Sequence, residues 1–317
     1  MIDVQRLRVL RTVAEHGSFN RAAAALHLTP SAVSQHIAAL ERSLGAQIVA
    51  RSTRGVTLTP AGRIMVGAAE SVAAELVHAK QQVDQLGSGL TQLTIATFTS
   101  GGRLLLPGAL AHLTAAHPDT VVHVREAEPE HSLPLVRQGA VDVALAYHFD
   151  GPLPGQLGPS SSLAWTALIE DPLHVVLPDV HPLAGREALD IAELAAEPWV
   201  LGCLKTEAYL RRYAERAGFE PDVRSTTTDY FFARSLVAAG LGVSLIPSIA
   251  QTPQVAGVRT IPISPPTPVR HIGVATILRR DHPQVMTLVQ ALRGEVAALD
   301  AKTWATQPIQ PRSYVRD

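Results

Sequence analysis

The chain has 317 residues, 46% of them hydrophobic and 17% charged, with a net charge of -1. That is enough for two or three compact units, and the absence of any apolar run of about 18 residues excludes a helical membrane span. A single cysteine, Cys203, excludes an intramolecular disulfide and a cysteine-based zinc site; with no apolar signal-peptide core at the N-terminus, the expected compartment is the cytoplasm.

Leu7, Leu10, Val13 and Ala14 predict a first helix over 4–16, closed by Gly17 in the left-handed conformation. Asn20 is placed to cap a short alanine-rich helix over 21–26, and Thr29-Pro30 opens another, in which Val33, Ile37, Leu40 and Leu44 share a core face. The opposite face carries Ser31, Ser34, Gln35 and Ala38, side chains short or amide-bearing enough to lie against base edges in a major groove. An ordinary helical hairpin with a polar outer face reads the same way. Charge favours the first reading. Residues 1–63 hold eight arginines against three acids, a net +5, while the remainder holds 19 basic against 25 acidic residues, a net -6. A basic head on an acidic body suits a polyanion for the head alone.

Next, 47–51 and 55–58 read as two short strands around Ser52-Thr53-Arg54-Gly55, a wing whose Arg51 and Arg54 would meet phosphate or the minor groove. Thr59-Pro60 opens a long helix to about 86. Along it Met65, Ala69, Val72, Leu76, Ala79, Val83 and Leu86 form a heptad seam, the pattern of a dimerisation helix, with packing on its own chain as the alternative.

Beyond Gly89 short β-branched runs (93–98, 121–125, 141–146, 173–177, 199–201, 243–246, 272–277) alternate with helical segments (103–116, 133–138, 190–194, 206–217, 230–239, 283–298). This alternation predicts an α/β domain with parallel-rich sheets covered on both faces. The Gly/Pro/Ser-rich stretch 151–162 and the run Ser264-Pro265-Pro266-Thr267-Pro268 are candidate crossings between two lobes flanking a cleft. The expected domains are a winged helix-turn-helix over 1–59, a linker helix over 60–89 and an effector domain over 90–302. Within the last, lobe I takes 90–165 and 267–302 and lobe II 166–266, and a mobile tail over 303–317 follows.

Residues 1–86 resemble the N-terminal part of the LysR-type transcriptional regulators. The resemblance lies in Gly17-Ser18-Phe19, Arg21-Ala22-Ala23, Leu26-His27, Thr29-Pro30-Ser31-Ala32-Val33-Ser34, Ile37, Leu40-Glu41, Leu44-Gly45, Arg51, Leu58-Thr59 and Ala61-Gly62. The rest is similar to that family's effector domain at Glu126, Leu133, Gly139, Asp142-Val143-Ala144, Asp171-Pro172-Leu173, His181-Pro182-Leu183 and Ala239-Gly240-Leu241-Gly242-Val243. The resemblance implies a periplasmic-binding-protein-like effector domain and assembly as a dimer or tetramer, with double-stranded DNA and a small-molecule effector as partners and RNA polymerase as a further candidate. Many members carry Gln-Pro where this chain has Pro30-Ser31, so no glutamine contact is expected there.

The candidate DNA-binding residues are Thr29, Pro30, Ser31, Ser34, Gln35, His36, Arg51 and Arg54. Gln35 is able to read adenine bidentately, and His36 is as readily a surface residue as a phosphate contact. Strand ends at the lobe interface supply the candidate effector residues. They are Thr99, Ser100 and Gly101, which serve equally as plain helix capping, with Glu128, Tyr147, His148, Gly202, Cys203, Thr228 and Phe231. Cys203 reads better as a packed thiol than a reactive one. Hydroxyls and amides favour a small carboxylate; if Glu126 or Glu128 points inward, an amino acid fits better. The scattered histidines show no metal-ligand spacing, and no Gly-x-Ser-x-Gly elbow, phosphate loop or dinucleotide fingerprint appears, so neither an enzyme nor a cofactor is expected. A ligand-independent DNA-binding protein and a small-molecule-binding protein with an auxiliary head remain as alternatives.

Overall fold

The computed structural model describes residues 2–52, 55–88, 90–149, 163–203, 206–277 and 283–303. Arg54, the stretch 151–162 and the tail from 304 lie outside them. Three helices build the head: α1 (Val4–His16), α2 (Phe19–Leu26) and α3 (Pro30–Leu44). Asp3 caps α1 and Gly17 ends it at φ 60°. Ser18, not Asn20, caps α2, accepting from the Arg21 amide, so the helix starts two residues before the expected position 21 and brings Phe19 onto the core. Thr29 caps α3 through the Ala32 amide. Val33, Ile37 and Leu40 are fully buried with Leu10 and Val13 of α1, each such side chain contributing about 1.5–3 kcal/mol.

The wing is β1 (Val49–Ser52) paired antiparallel with β2 (Gly55–Leu58). Glu41 of α3 accepts from the Ile48 amide at 3.0 Å and ties the wing to the helices. The linker helix α4 (Pro60–Ser88) then divides its heptad seam. Met65, Ala69 and Val72 pack into the head core, while Leu76 and Val83 are 54% and 65% exposed. The narrow seam expected to face a partner over its whole length thus first serves its own head.

Beyond the linker come β3 (Thr91–Thr97), α5 (Thr99–Leu104), α6 (Leu106–Ala116), β4 (Thr120–Glu126), α7 (Pro129–Arg137), β5 (Val143–His148) and β6 (Leu163–Pro178). The helix expected over 103–116 is therefore two, broken at Leu105 where Pro107, lacking an amide hydrogen, starts a new first turn. Next follow β7 (Pro198–Leu201), α8 (Thr206–Arg216), β8 (Asp222–Thr226), α9 (Tyr230–Ala238), β9 (Ser244–Pro247), β10 (Val258–Pro262), β11 (Val269–Ile277) and α10 (Pro283–Thr303). The segment expected as a helix over 190–194 is a single 3-10 turn.

In lobe I the sheet order is β6-β11-β5-β3-β4, parallel only where β3 meets β4 and β5. Alternation along the strands sorts the two faces. Ile95, Val143 and Leu145 join α6 and α10, while Ala96, Ala144 and Ala146 receive Leu133 and Val136 of α7. Lobe II is built on the second half of β6, flanked by antiparallel β9 and β10, with the parallel pair β7-β8 beside it. The sheets are mixed rather than parallel-rich, because β6 and β11 run back and forth between lobes instead of crossing over through helices. The strand β6 changes partners in mid-course: Pro172 pairs with Val269 of β11 and Leu173 with Pro247 of β9. The return crossing is 264–268, between β10 and β11.

Candidate functional site

A buried ion pair lies between the lobes. Arg270 and Asp171 are 1% and 0% exposed, and Arg270 Nε donates to Asp171 Oδ2 at 2.8 Å. The carboxylate also accepts from the Ile249 amide, and Arg270 Nη2 donates to Ser100 Oγ at 2.9 Å. Burial pushes the Asp171 carboxyl up, against the pull of the guanidinium. The cation is stacked among Phe98, Tyr147 and Tyr230, 4.9 to 6.0 Å from their ring centres.

Around this pair the expected residues fall into three groups. In the first, Tyr147 donates to Glu128 Oε2 at 2.8 Å and lies 3.8 Å from Cys203 Sγ, joining lobe I to lobe II. Burial raises the Tyr147 and Tyr230 hydroxyls far above the ordinary phenol value, so both stay neutral. Tyr230 is 7% exposed, and its hydroxyl has no hydrogen-bond partner among the described residues. Gly202 belongs here for a steric reason: a Cβ would sit 2.3 Å from the Tyr230 ring.

The second group lines a cavity of about 190 Å³ between α5 and the start of α9. Thr99, Ser100 and Phe231 of the expected set form part of its wall, with Arg103, Asp229 and Tyr230. Neither hydroxyl caps α5. Thr99 donates to Glu126 at 2.8 Å, and Ser100 is held by Arg270. Asp229 caps α9 through the Phe231 and Phe232 amides, and the Arg103 guanidinium lies 5.5 Å from the Phe231 ring centre. Gly101 is buried against the Phe98 ring.

The third group stands apart. His148 points to the other face of β5 from Tyr147 and stacks on His271 at 5.1 Å, with Trp165 edge-on. Thr228 is exposed in the turn before α9, where its neighbour Thr227 is the buried hydroxyl, donating to the Leu201 carbonyl at 3.0 Å.

Arg270, Asp171, Tyr230, Arg103 and Asp229 escape the sequence reading as site residues. For Arg270 a signal was present: an arginine at the head of the apolar run Val269–Ile277 needs a buried counter-charge, and Asp171 stands just before the strand expected over 173–177. Among the described residues no group of three or more His, Cys, Asp or Glu could hold a metal ion, and no helix is long and apolar enough to cross a membrane.

On the head, Thr29, Pro30, Ser31 and Gln35 are exposed along one edge of α3, and Ser34 and His36 are half-buried beside them. The Thr29 and Ser31 hydroxyls are hydrogen-bonded to each other at 2.9 Å. Arg51 lies in β1, and Arg54 is outside the described residues.

Comparison with known proteins accounts for both regions. Residues 4–63 match the bacterial regulatory helix-turn-helix protein model of the lysR family, and residues 87–297 match the LysR substrate binding domain. The chain is 28% identical over 280 residues to the DNA-binding transcriptional dual regulator OxyR of Escherichia coli, covering 86% of this chain and 88% of that one. It is 32% identical over 279 residues to a Mycobacterium avium protein named "Probable hydrogen peroxide-inducible genes activator", covering 84% and 86%. Among solved structures, a hydrogen-peroxide-bound cysteine mutant of Corynebacterium glutamicum OxyR superposes with a TM-score of 0.56 at 26% identity, over 96% of this chain and 97% of that one. A head with a helix-turn-helix, a two-lobed domain with a cleft and these matches lead to one assignment: the chain belongs to the LysR family of ligand-responsive, DNA-binding transcriptional regulators.

Proposed function

We propose that the effector is a small zwitterion of amino-acid size, bound in the cavity between α5 and α9, and that lobe closure around it resets paired heads on operator DNA. The observation carrying this reading is the charge pattern. Arg270, the central cation, is already neutralised by Asp171, while Arg103 and Asp229 line the cavity from opposite lobes. A bare carboxylate would meet Asp229, and Glu128 and Glu126 nearby, with Arg103 on the cavity wall to offset them and Arg234, behind the Phe231 ring, already donating to the Gln251 and Pro253 carbonyls; an ammonium beside its carboxylate meets both signs. The volume of about 190 Å³ lies below the roughly 300 Å³ at which drug-sized sites begin. Glu128, Tyr147, Gly202 and Cys203 form the layer behind Tyr230 that closure would compress. On this reading the site binds and releases without turnover, and a chain that acts on operator DNA acts in the cytoplasm.

A thermal-shift series on the full chain tests this, comparing amino acids with matched monocarboxylates and amines. Ligand at about 100 times its Kd adds roughly 2.7 kcal/mol to stability. Arg103→Ala and Asp229→Asn should each weaken the amino acid about tenfold, or roughly 1.4 kcal/mol, the asparagine still capping α9. A monocarboxylate that binds as well as its amino acid, indifferent to Arg103→Ala, would sink the zwitterion reading.

On the DNA side the reading gives Gln35 a base edge, Thr29, Ser31, Ser34 and His36 the adjoining phosphates, and Arg51 and Arg54 the flanking backbone. Gln35→Ala should relax base preference at one operator position by about 1–3 kcal/mol. An unchanged ranking of operator variants in a binding-selection assay would remove Gln35 from direct readout.

A second reading rests on Cys203, whose sulfur sits at the cleft beside Tyr147, and on the peroxide named for two of the relatives. The sulfur would attack one peroxide oxygen, break the O–O bond and release water, leaving a sulfenic acid with no second cysteine to resolve it. At 8% exposure Cys203 is closer to a packed thiol than an accessible one, which ranks this reading second. One added oxygen on Cys203 by mass spectrometry at micromolar peroxide, with altered DNA binding abolished by Cys203→Ser, would reverse the order.

A further inference from the structure

Helix α7 has one end in the cleft and the other on the linker helix. At its start the capping residue Glu128 accepts the Tyr147 hydroxyl, which faces lobe II through Cys203. At its finish Gly139, with φ +70°, meets α4 so closely that a Cβ would lie 2.9 Å from Ala74 Cα and 3.1 Å from its carbonyl oxygen. Ala74 is 2% exposed. One turn earlier on α4, Glu70 lies in electrostatic reach of Arg137 of α7 and Arg11 of α1; both arginines oppose the rise that burial imposes on its carboxyl. Between the ends, Leu133 and Val136 are locked against Ala96, Ala144, Ala146 and Ala275 of the sheet. Nine residues of helix span about 14 Å; Pro134 withdraws one amide hydrogen bond within it, and Leu133 and Val136 on either side pin the helix to the sheet, so that it shifts as a body.

We infer that α7 is a strut coupling the effector cleft to the DNA-reading head: displacement of Glu128 at one end is delivered to Ala74 and Glu70 at the other. From there α4 carries it directly, because Met65, Ala69 and Val72 share a core with α1. Coupling of this kind is reciprocal, so a perturbation on the linker must also be felt at the cleft. The inference rests on the cleft being the effector site, but not on which molecule fills it.

Hydrogen exchange on the full chain without ligand tests the strut separately from the ligand screen. Glu128→Gln replaces a charged acceptor by a neutral one and should speed exchange by about threefold or more at 70–78 as well as around 128 and 147. Ala74→Leu should do the reverse, speeding exchange at 128–132 by a similar factor. Phe231→Ala perturbs the cleft from lobe II without touching α7 and should leave 70–78 unchanged. The strut is overturned if Glu128→Gln loosens the cleft alone, if Ala74→Leu stops at 139–142, or if Phe231→Ala loosens the linker equally.

Discussion

Arg270 and Asp171 face each other on neighbouring strands where β6 leaves lobe I, and neither residue can be removed alone. Arg270→Met would leave a carboxylate with 0% exposure facing a thioether, at a cost of about 3–5 kcal/mol, whereas Arg270→Met with Asp171→Leu should recover most of that loss. Urea denaturation of the two variants decides it; equal destabilisation would mean that packing around the guanidinium, rather than its charge, matters. His174, on β6, gives a pH signature of its own. Burial lowers its pKa below the ordinary 6.5, so on acidification the unfolded chain takes up a proton that the folded chain refuses. Stability is thus full above about pH 6.5 and lost as pH falls toward the folded-state value. The thermal midpoint should drop from pH 6.5 to pH 5, and His174→Asn should flatten that segment; an unchanged slope would place the titration elsewhere. Of these residues the sequence names Asp171 only as a family landmark. A buried ion pair joining positions 99 apart leaves no local trace of the pairing itself, only an arginine opening an apolar run, since which groups meet is a property of the fold.

At the level of elements, periodicity speaks clearly where one face is buried and weakly elsewhere. The helix α3 and the strand β3 were legible because each alternates apolar and polar positions at its own period, and β5 because it is a short unbroken apolar run. The strands β8 and β10 were not, being five residues each with no more than one of them buried, so that backbone pairing rather than side-chain burial defines them. The linker α4 is the instructive case. Its heptads were readable, but a heptad cannot say which helix fills it, and α1 takes the first half. The remaining half should meet a second copy. Leu76→Asp would then put an unpaired charge in that contact and cost several kcal/mol of association, roughly 3–5 by analogy with other buried unpaired charges. Sedimentation of the full chain should show a shift toward smaller assemblies. A mutant that sediments like the wild type would assign Leu76 to an open surface.

Over the whole molecule, strand-helix alternation made two α/β lobes and a cleft legible, and a basic head on an acidic body made the division of labour legible too. Of the two crossings between the lobes, the return at 264–268 was legible and the outward one was not. That one was sought in the glycine- and proline-rich stretch 151–162, yet β6 passes through the boundary as sixteen residues of unbroken strand, exchanging neighbours at Pro172 and Leu173. Nothing in the local residues announces a change of partner, because both halves satisfy the same backbone hydrogen bonds and the same apolar preference. This shared strand bears on how the domain can be rearranged. Excising lobe II as a module would take away its middle strand, and leaving β6 behind would strip β9 and β10 of their common neighbour. Insertions, permutations and chimaeras that treat the lobes as interchangeable parts should therefore fail, while exchanges made at the level of the whole two-lobed body keep every sheet intact.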